Sequence, residues 1–350
     1  MSISERILGK KSAGGGPRIE SVSPLAAIPG GELRIKGSDL KPHDLSRPRV
    51  RFGDAEGAVV ISSNDVVVAK VPEDAGTELI ISNNGHSSSA YPVIVGELLA
   101  ENLHPVGNPA VDAHGTVVTT VSGSRGQKVP VSIYTIDTAG KTRAFVTDLM
   151  NAHGLAFNHA GELFVSSRYD GTIFRINDKG EKKVFAEGMG VATGIAFDHE
   201  GSLYVGDRSG TIFKINRNGE TFVFATLEPS VSAYHLAFSP SGDLYVGGPT
   251  TSSFDAVHKV NPKGEVSEFF RGLGRPQGLA FDVQGNLYVA ASYAGKRGLV
   301  RITPDAKASL AISGPQIVGI AFAPGKSAVI TTTNSIYRLA LGIEGMPLFG

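Results

Sequence analysis

The sequence predicts an all-β protein, and the main evidence is a five-residue phrase that recurs through its C-terminal two thirds. The phrase reads x-Gly-(Leu/Ile)-Ala-Phe, with histidine replacing glycine in the third copy, and occupies 153–157, 193–197, 234–238, 277–281 and 318–322. A weaker copy lies at 107–111. The copies are about 40 residues apart, and each is followed by a turn glycine and a second apolar run. Repeats of this length that contain several short strands are typical of a β-propeller, so six copies predict six blades.

The composition agrees with a β protein and excludes several function classes. The 44 glycines and 19 prolines among 350 residues suit many tight turns. Lys+Arg and Asp+Glu are equal at 33 each, which argues against a nucleic-acid or membrane-surface binder. The absence of cysteine excludes disulfides, thiolate catalysis and cysteine-bound metals. No apolar run has the length of a signal peptide or a membrane helix, so we expect a cytoplasmic protein.

Two segments precede the repeats. Residues 1–16 end in three glycines and are predicted to be a flexible tail. Residues 17–96 contain about seven short strands separated by Gly, Pro, Asn and Asp turns. Apolar and polar residues alternate clearly at 33–36 and 50–52, as expected of half-buried antiparallel strands. This segment is therefore predicted to be an immunoglobulin-like sandwich.

The beginning of this sandwich resembles the IPT/TIG family. The resemblance rests on Pro-Arg-Ile-Glu-Ser-Val-Ser-Pro at 17–24, Pro-Gly-Gly-Glu-Leu-Arg-Ile-Lys-Gly at 29–37 and Asp39-Leu40. The family is mostly an accessory or interaction module, which implies a protein partner for this domain. No catalytic residue types cluster within it.

Residues 97–350 are predicted to form the propeller, with 97–103 as the strand that closes it. This stretch, Glu-Leu-Leu-Ala-Glu-Asn-Leu, matches the outer strand of later repeats, but no first three strands precede it. The last repeat ends with a third strand at 335–341. The ring closes most simply if 97–103 completes that repeat, because closure removes exposed sheet edges. The alternative is a strand at 346–349, which contains a proline and is disfavoured.

Each middle repeat is predicted to have four strands, for example 154–158, 162–166, 172–177 and 183–187. The aligned phenylalanines of the phrase are expected to pack between blades. Because strands alternate in direction, the loop after the second strand and the loop before each inner strand emerge on one face. That face, at the mouth of the central channel, is where we expect a ligand.

Three consecutive repeats place an arginine on this face, although a turn requires only Gly, Asn, Asp or Ser. The arginines are Arg125, Arg168 and Arg208, and Arg275 joins them from another loop. A planar guanidinium suits bidentate binding of carboxylate or phosphate. The alternative is ion pairing between blades, since Asp170 and Asp207 adjoin the arginines. We include Asp207 among the predicted ligand-binding residues.

Polar residues also occupy the first or second position of most copies of the phrase: Asn108, His153, Thr193, Tyr234, His235 and Gln277. His153 and His235 are predicted to transfer protons near neutral pH, and Tyr234 to donate a proton or orient the substrate. Asn108 and Gln277 are predicted to bind the ligand with the arginines. The alternative is a hydrated, hydrogen-bonded channel.

The repeated phrase makes the propeller half similar to the NHL-repeat and regucalcin/gluconolactonase families. That resemblance implies a lactonase-like hydrolase or a lyase whose metal is held by a Glu, two Asn and an Asp. The Glu position reads Gly107 here, and the other positions read His153, Thr193 and Gln277. Oxygen-rich metal sites require carboxylates, so we predict no inherited metal and no cofactor. Asp207 and Asp255 remain candidates for a different metal site.

Two functions fit these observations. The first is binding of an anionic or polyhydroxylated small molecule at the propeller mouth, with lactonase-like hydrolysis or a lyase reaction. The second is a non-catalytic binding or scaffold protein that uses the surfaces of both domains. A deep mouth lined by the predicted residues favours the first function. A filled mouth with every arginine paired to an aspartate favours the second.

Overall fold

The computed structural model describes residues 16–42, 44 and 46–346, so the predicted tail at 1–16 lies outside it except for Gly16. The chain divides into two compact units, one ending at Val95 and the other beginning at Gly96. Within the described ranges the regular structure consists of β-strands without an α-helix. Accordingly, no helix in that part of the chain is long and apolar enough to cross a membrane.

The first unit is a small, mostly antiparallel β structure. Its strands are β1 (Arg18–Ser23), β2 (Ala26–Ala27), β3 (Glu32–Ser38), β4 (Arg49–Phe52), β5 (Ala55–Ser62), β6 (Val66–Lys70), β7 (Glu78–Asn83), β8 (His86–Ser87), β9 (Tyr91–Pro92) and β10 (Ile94–Val95). They pair in the order β1-β3-β6-β5-β4-β7-β8, with β9 on β7 and β10 parallel to β2. Leu33 and Ile35 point into the core while Arg34 is exposed, as the alternation predicts.

The second unit carries the repeats. Its first half contains β11 (Glu97–Glu101), β12 (Ala110–Val111), β13 (Val117–Thr120), β14 (Ile133–Ile136), β15 (Thr142–Val146), β16 (Ala152–Phe157), β17 (Leu163–Ser167), β18 (Ile173–Ile176), β19 (Lys182–Ala186), β20 (Ala192–Phe197), β21 (Leu203–Asp207), β22 (Thr211–Ile215) and β23 (Thr221–Thr226). Its second half contains β24 (His235–Phe238), β25 (Leu244–Gly247), β26 (Asp255–Val260), β27 (Val266–Leu273), β28 (Leu279–Phe281), β29 (Leu287–Tyr293), β30 (Lys296–Ile302), β31 (Ala308–Ser313), β32 (Ile317–Ala323), β33 (Ser327–Thr332) and β34 (Ser335–Leu339).

These strands form a propeller arrangement with five separate four-stranded blades, whereas the sequence predicts six. The five sheets are β12-β13-β14-β15, β16-β17-β18-β19, β20-β21-β22-β23, β24-β25-β26-β27 and β11-β34-β33-β32. The strands β28 to β31 pair in the same antiparallel manner but belong to a six-stranded sheet. The inner strands β12, β16, β20, β24, β28 and β32 follow one another, each contacting the next, and β32 contacts β12.

The last blade is closed by the strand predicted to do so. Glu97 pairs with Arg338 and Glu101 pairs with Ser335, so β11 is the outer neighbour of β34. At the alternative strand, the Met346 amide donates to the Phe281 carbonyl at 2.9 Å. Residues 347–349 of that alternative lie outside the described residues.

Aromatic rings fill most of the interfaces between neighbouring blades. A ring on the second strand of one blade packs edge-on against the phrase phenylalanine of the next, as expected for aromatic pairs. The pairs and their centroid separations are Phe164–Phe197 at 5.1 Å, Tyr204–Phe238 at 5.0 Å, Tyr245–Phe281 at 4.8 Å and Tyr288–Phe322 at 5.3 Å. The aligned phenylalanines are therefore packed between blades.

Candidate functional site

The inner strands surround a narrow axial cavity of about 90 Å³. Residues from all six inner strands or the turns beside them line it, including Asn108, His153 and His235. A water molecule needs roughly 10–15 Å³ of such space, so the cavity holds several waters or a slender part of a ligand.

The phrase glycine allows neighbouring inner strands to approach closely. The Gly194 amide donates to the Tyr234 carbonyl at 2.8 Å, and a Cβ at Gly194 would lie 2.5 Å from that oxygen. No side chain fits at this separation. The two inner strands are consequently held close together at this level.

His153 and His235 face each other in this cavity. Their ring centroids are 5.5 Å apart, and their exposed fractions are only 2% and 5%. A Cβ at Gly107 would lie 3.5 Å from His235 Cε1 and 3.6 Å from His153 Cε1, so the absent side chain leaves room beside both rings. His153 Nδ1 is buried and has no hydrogen-bond partner. Thr120 Oγ1 donates to the His153 carbonyl at 2.8 Å and helps to fix the backbone.

Burial keeps both imidazoles neutral at pH 7. It lowers the pKa of His153 well below its ordinary value, and the neighbouring His235 and Arg168 lower it further, against a smaller opposing effect of a hydrogen bond with the Thr193 backbone. Burial alone lowers the pKa of His235 to about 4. A neutral imidazole presents one donor and one acceptor nitrogen, so the pair has the chemistry to accept a proton or a hydrogen bond.

The three predicted arginines lie close enough to interact electrostatically with one another, but none of them lines the axial cavity. Burial lowers the pKa of Arg168, and the charges of Arg208 and Arg125 lower it further. Arg168 Nη2 donates to Ser122 Oγ at 3.3 Å, and Arg168 Nε is buried without a partner. Arg125 Nη2 donates to the Tyr169 carbonyl at 3.3 Å. The charges of Arg125 and Arg208 therefore repel that of Arg168.

The predicted alternative, ion pairing between blades, is not found for these arginines. No salt bridge among the described residues includes Arg125, Arg168 or Arg208. The Asp207 carboxylate instead accepts hydrogen bonds from the Val191 amide at 3.0 Å and the Ser209 hydroxyl at 2.6 Å. Asp207 is buried, and it organises its own loop and the loop before β20 rather than contacting the arginines.

Tyr234 lies in the core between blades and not at the channel, where the sequence predicts it. It is 1% exposed, its ring packs with Leu236 and Val246, and it does not line the axial cavity. Its hydroxyl donates to the Glu228 carbonyl, and burial raises its pKa to about 12. Tyr234 therefore contributes to the packing of the core, because its side chain points between the blades and its hydroxyl is bonded to the backbone.

The structure does not present Asn108 and Gln277 to a ligand in the axial cavity as the sequence predicts: the Asn108 amide is bonded to the backbone, and Gln277 lies outside the cavity lining. Asn108 lines the cavity, but its Nδ2 donates to the Leu279 carbonyl at 2.9 Å and its Oδ1 accepts from the Ile320 amide at 3.1 Å. Its amide therefore ties two neighbouring inner strands together. Gln277 is half-buried and outside the cavity lining, with its backbone amide bonded to the Ala290 carbonyl.

The residues present do not fit the divalent-metal site that the gluconolactonase resemblance implies. The Glu position is Gly107, and Asn108 uses both ends of its amide on the backbone. Among the described residues, no three His, Asp or Glu side chains come together as a metal site. Two imidazoles alone fall short of the three protein ligands of a typical catalytic zinc site.

Asn151 is not among the predicted site residues, but it positions the loop that contains Arg125, and its carbonyl accepts from the Arg168 amide at 3.0 Å. Its Nδ2 donates to Ser122 Oγ and the Ser124 carbonyl, both at 3.0 Å, and its Oδ1 accepts from the Gly126 amide at 2.7 Å. Asn151 is 1% exposed and has a φ of 48°. The sequence feature that could have indicated this role is an asparagine two residues before His153, because asparagine adopts a positive φ more readily than most residues.

The first unit matches a known domain family. Residues 17–94 match the IPT/TIG domain family. This segment is an IPT/TIG domain. No curated protein matches the chain.

Solved structures resemble the propeller and, in some cases, the whole chain. A protein assigned as a gluconolactonase is 19% identical, covers 72% of this chain and 94% of its own, and has a TM-score of 0.60. A gluconolactonase from Xanthomonas campestris is 16% identical over 71% of this chain and 89% of its own, with a TM-score of 0.58. An auxiliary nutrient binding protein from Bacteroides thetaiotaomicron is 13% identical over 93% and 97%, with a TM-score of 0.55. At these identities the likeness concerns the fold.

Proposed function

We propose that this protein binds an anionic or polyhydroxylated small molecule at the mouth of the propeller. Arg125, Arg168 and Arg208 would contact the anionic group, and the His153–His235 pair would face the part of the ligand that enters the cavity. The observation that carries the proposal is a pair of buried nitrogens without partners, His153 Nδ1 and Arg168 Nε, in one electrostatically coupled region. Leaving such a group unbonded costs about 1–3 kcal/mol, which a ligand or water recovers.

The chemistry we favour is hydrolysis of a lactone that carries a carboxylate or several hydroxyls. Neutral His153 would accept a proton from water as the water oxygen attacks the lactone carbonyl. The ring C–O bond then breaks, the ring oxygen takes up the proton, and a hydroxy acid is released. The arginines would hold the substrate and stabilise the developing negative charge. Gluconolactonases among the similar structures support this reaction class, and no step uses a metal.

The second candidate is ligand binding without turnover. Structures similar over both units include nutrient binding proteins from Bacteroides thetaiotaomicron and Bacteroides ovatus, which cover 93% of this chain. The gluconolactonase structures cover 72% and 71%. In this case the IPT/TIG domain would contact a protein partner.

A thermal-shift and calorimetry screen with sugar acids, sugar lactones and inorganic phosphate tests the proposal. We expect a carboxylate ligand to bind the wild type and to bind Arg168→Ala at least tenfold more weakly. Lactone hydrolysis should require His153, so His153→Gln should retain binding and lose turnover. Ligand binding that is unchanged in Arg168→Ala would reject this site, and binding without any hydrolysis would favour the second candidate.

The six-bladed count is also a proposal. It rests on the closed succession of six inner strands and on the blade-like pairing of β28 to β31. An experimental structure with β28 outside the ring of inner strands would contradict it.

A further inference from the structure

Two interfaces between neighbouring blades lack the aromatic ring that fills the other four. The ring comes from the second strand of a blade: Phe164, Tyr204, Tyr245 and Tyr288. In β33 this position is Val329, which packs with Val111 and Val117 of the next blade. In β13 the corresponding residue is Val118, because Val111 pairs with Val117 just as Phe157 pairs with Leu163 one blade later. The missing ring should leave space between this blade and the next.

A cavity of about 410 Å³ lies at this interface. Val118, Phe145 and Phe157 provide apolar walls, and polar residues at the turns form its rim. We call this space the interblade cavity. Elsewhere the equivalent phenylalanines enclose a ring: Tyr204 lies 4.9 Å from Phe224 and 5.0 Å from Phe238. Phe145 and Phe157 occupy the corresponding outer-strand and inner-strand positions, but Val118 is too short to reach between them as a ring does.

The same blade lacks the cation that accompanies the ring. Tyr204 is paired across its sheet with Lys214, Tyr245 with Lys259 and Tyr288 with Arg301. The partner of Val118 is Thr135. Thr135 also lines the interblade cavity. This blade therefore has neither an aromatic ring nor a positive charge at these two positions.

The blade does have the carboxylate that pairs with the cation in another blade. Asp198 follows the phrase phenylalanine and lies 3.6 Å from Lys214 Nζ, and Asp112 holds the equivalent position beside the interblade cavity. Asp112 Oδ1 accepts from the His114 amide at 2.9 Å and the Thr116 amide at 2.8 Å. Neither Asp112 nor Asp178, also on the rim, belongs to a salt bridge in the described part of the chain. The remaining rim charges, Glu162 and Arg175, pair with each other at 3.0 Å.

We propose that the interblade cavity binds a small aromatic cation, namely a ring that carries a protonated alkylamine. The ring lies between Phe145 and Phe157, where edge-on contacts favour an aromatic group. The ammonium lies beside Asp112, where it supplies the charge that Lys214 supplies to Asp198 in another blade. The ligand thus replaces the tyrosine and lysine that this blade lacks. The site is separate from the axial cavity and does not depend on the function proposed for it.

Tyramine is the probe, because it combines a phenol ring with an ammonium group. We expect calorimetry to give one site with a Kd of about 1 mM, as suits a ligand of this size at a half-open cavity. p-Cresol, which lacks the amine, should bind about threefold more weakly, since a partly exposed ion pair contributes little. Absence of tyramine binding at 20-fold this concentration, roughly 20 mM, would overturn the proposal.

Val118→Tyr supplies the missing ring and should abolish tyramine binding while the melting temperature stays equal or rises. Unchanged tyramine binding by folded Val118→Tyr would place the ligand elsewhere and overturn the proposal. Asp112→Asn keeps the turn acceptor and removes the charge, so it gives a second test if Val118→Tyr does not fold. It should weaken tyramine about threefold and leave p-cresol unchanged. An equal effect on both probes, or none on tyramine, would contradict the assignment. His153→Gln should bind tyramine like the wild type, and a loss there would assign the probe to the axial cavity instead.

Discussion

The buried histidine pair makes stability sensitive to mild acid, and His235→Asn is the variant that shows it. Burial lowers the pKa of His235 to about 4 in the folded protein, whereas an unfolded histidine titrates near 6.5. Between these two values the unfolded chain binds a proton that the folded protein does not. The free energy of unfolding therefore falls as the pH drops from about 6.5 towards 4, and this contribution is constant above that window.

The size of the effect follows from the difference in pKa. Each unit corresponds to about 1.4 kcal/mol, so the His235 contribution costs the folded state about 3 kcal/mol at pH 4 relative to pH 7. His153 acts in the same direction, because its pKa is also lowered by burial. Removing one titrating group should make the pH dependence shallower by about the contribution of that group.

Urea denaturation from pH 7 to pH 4 measures this difference directly. The free energies of wild type and His235→Asn should converge or cross as the pH falls, with a relative change of about 3 kcal/mol in favour of the variant. His114 is exposed in a turn, so His114→Asn removes a histidine without altering the cavity and should follow the wild type. Parallel curves for wild type and His235→Asn would refute the inference that His235 is buried and neutral.

The remaining predictions concern backbone and cavity geometry. Asn108→Ala should lower the free energy of unfolding by about 2 kcal/mol in urea denaturation, because it removes both hydrogen bonds between inner strands; unchanged stability would contradict the bridging role. Gly194→Ala should lower the melting temperature strongly, since its Cβ would lie 2.5 Å from the Tyr234 carbonyl. Gly107→Ala is the matched control, with its nearest contact at 3.5 Å. It should fold normally but weaken ligand binding by calorimetry, and equal melting temperatures for the two alanine variants would contradict this packing.

The propeller was predictable because the repeated phrase reflects packing needs that every blade shares. Gly194 must allow close approach of two backbones, and Phe197 must pack edge-on against Phe164. The closing strand β11 was predictable for the same reason, since its sequence matches the outer strands of later blades. The repeats predict six blades, whereas the structure has five separate four-stranded blades and places β28 to β31 in a six-stranded sheet, because a local sequence pattern does not specify which strands pair at a sheet edge.

The candidate site was only partly predictable. Alignment of the repeats located His153 and His235, because their backbone positions beside the phrase glycine are fixed by the fold. It could not tell that Tyr234 turns into the core or that Asn108 bonds to two backbones. Those outcomes depend on side-chain direction and on partners far away in the sequence. Val118 was visible as a departure from the aromatic pattern only once the strand register was known.

The most direct test of the ligand site proposed at the propeller mouth is a nitrogen NMR titration of the histidine side chains. D-gluconate is added to protein labelled with ¹⁵N-histidine at pH 7, and the imidazole signals of His153 and His235 are followed. Both signals should shift with one affinity, and Arg168→Ala should weaken this response at least tenfold. Imidazole signals of His153 and His235 that stay fixed while gluconate binds by calorimetry would show that the ligand does not reach the pair.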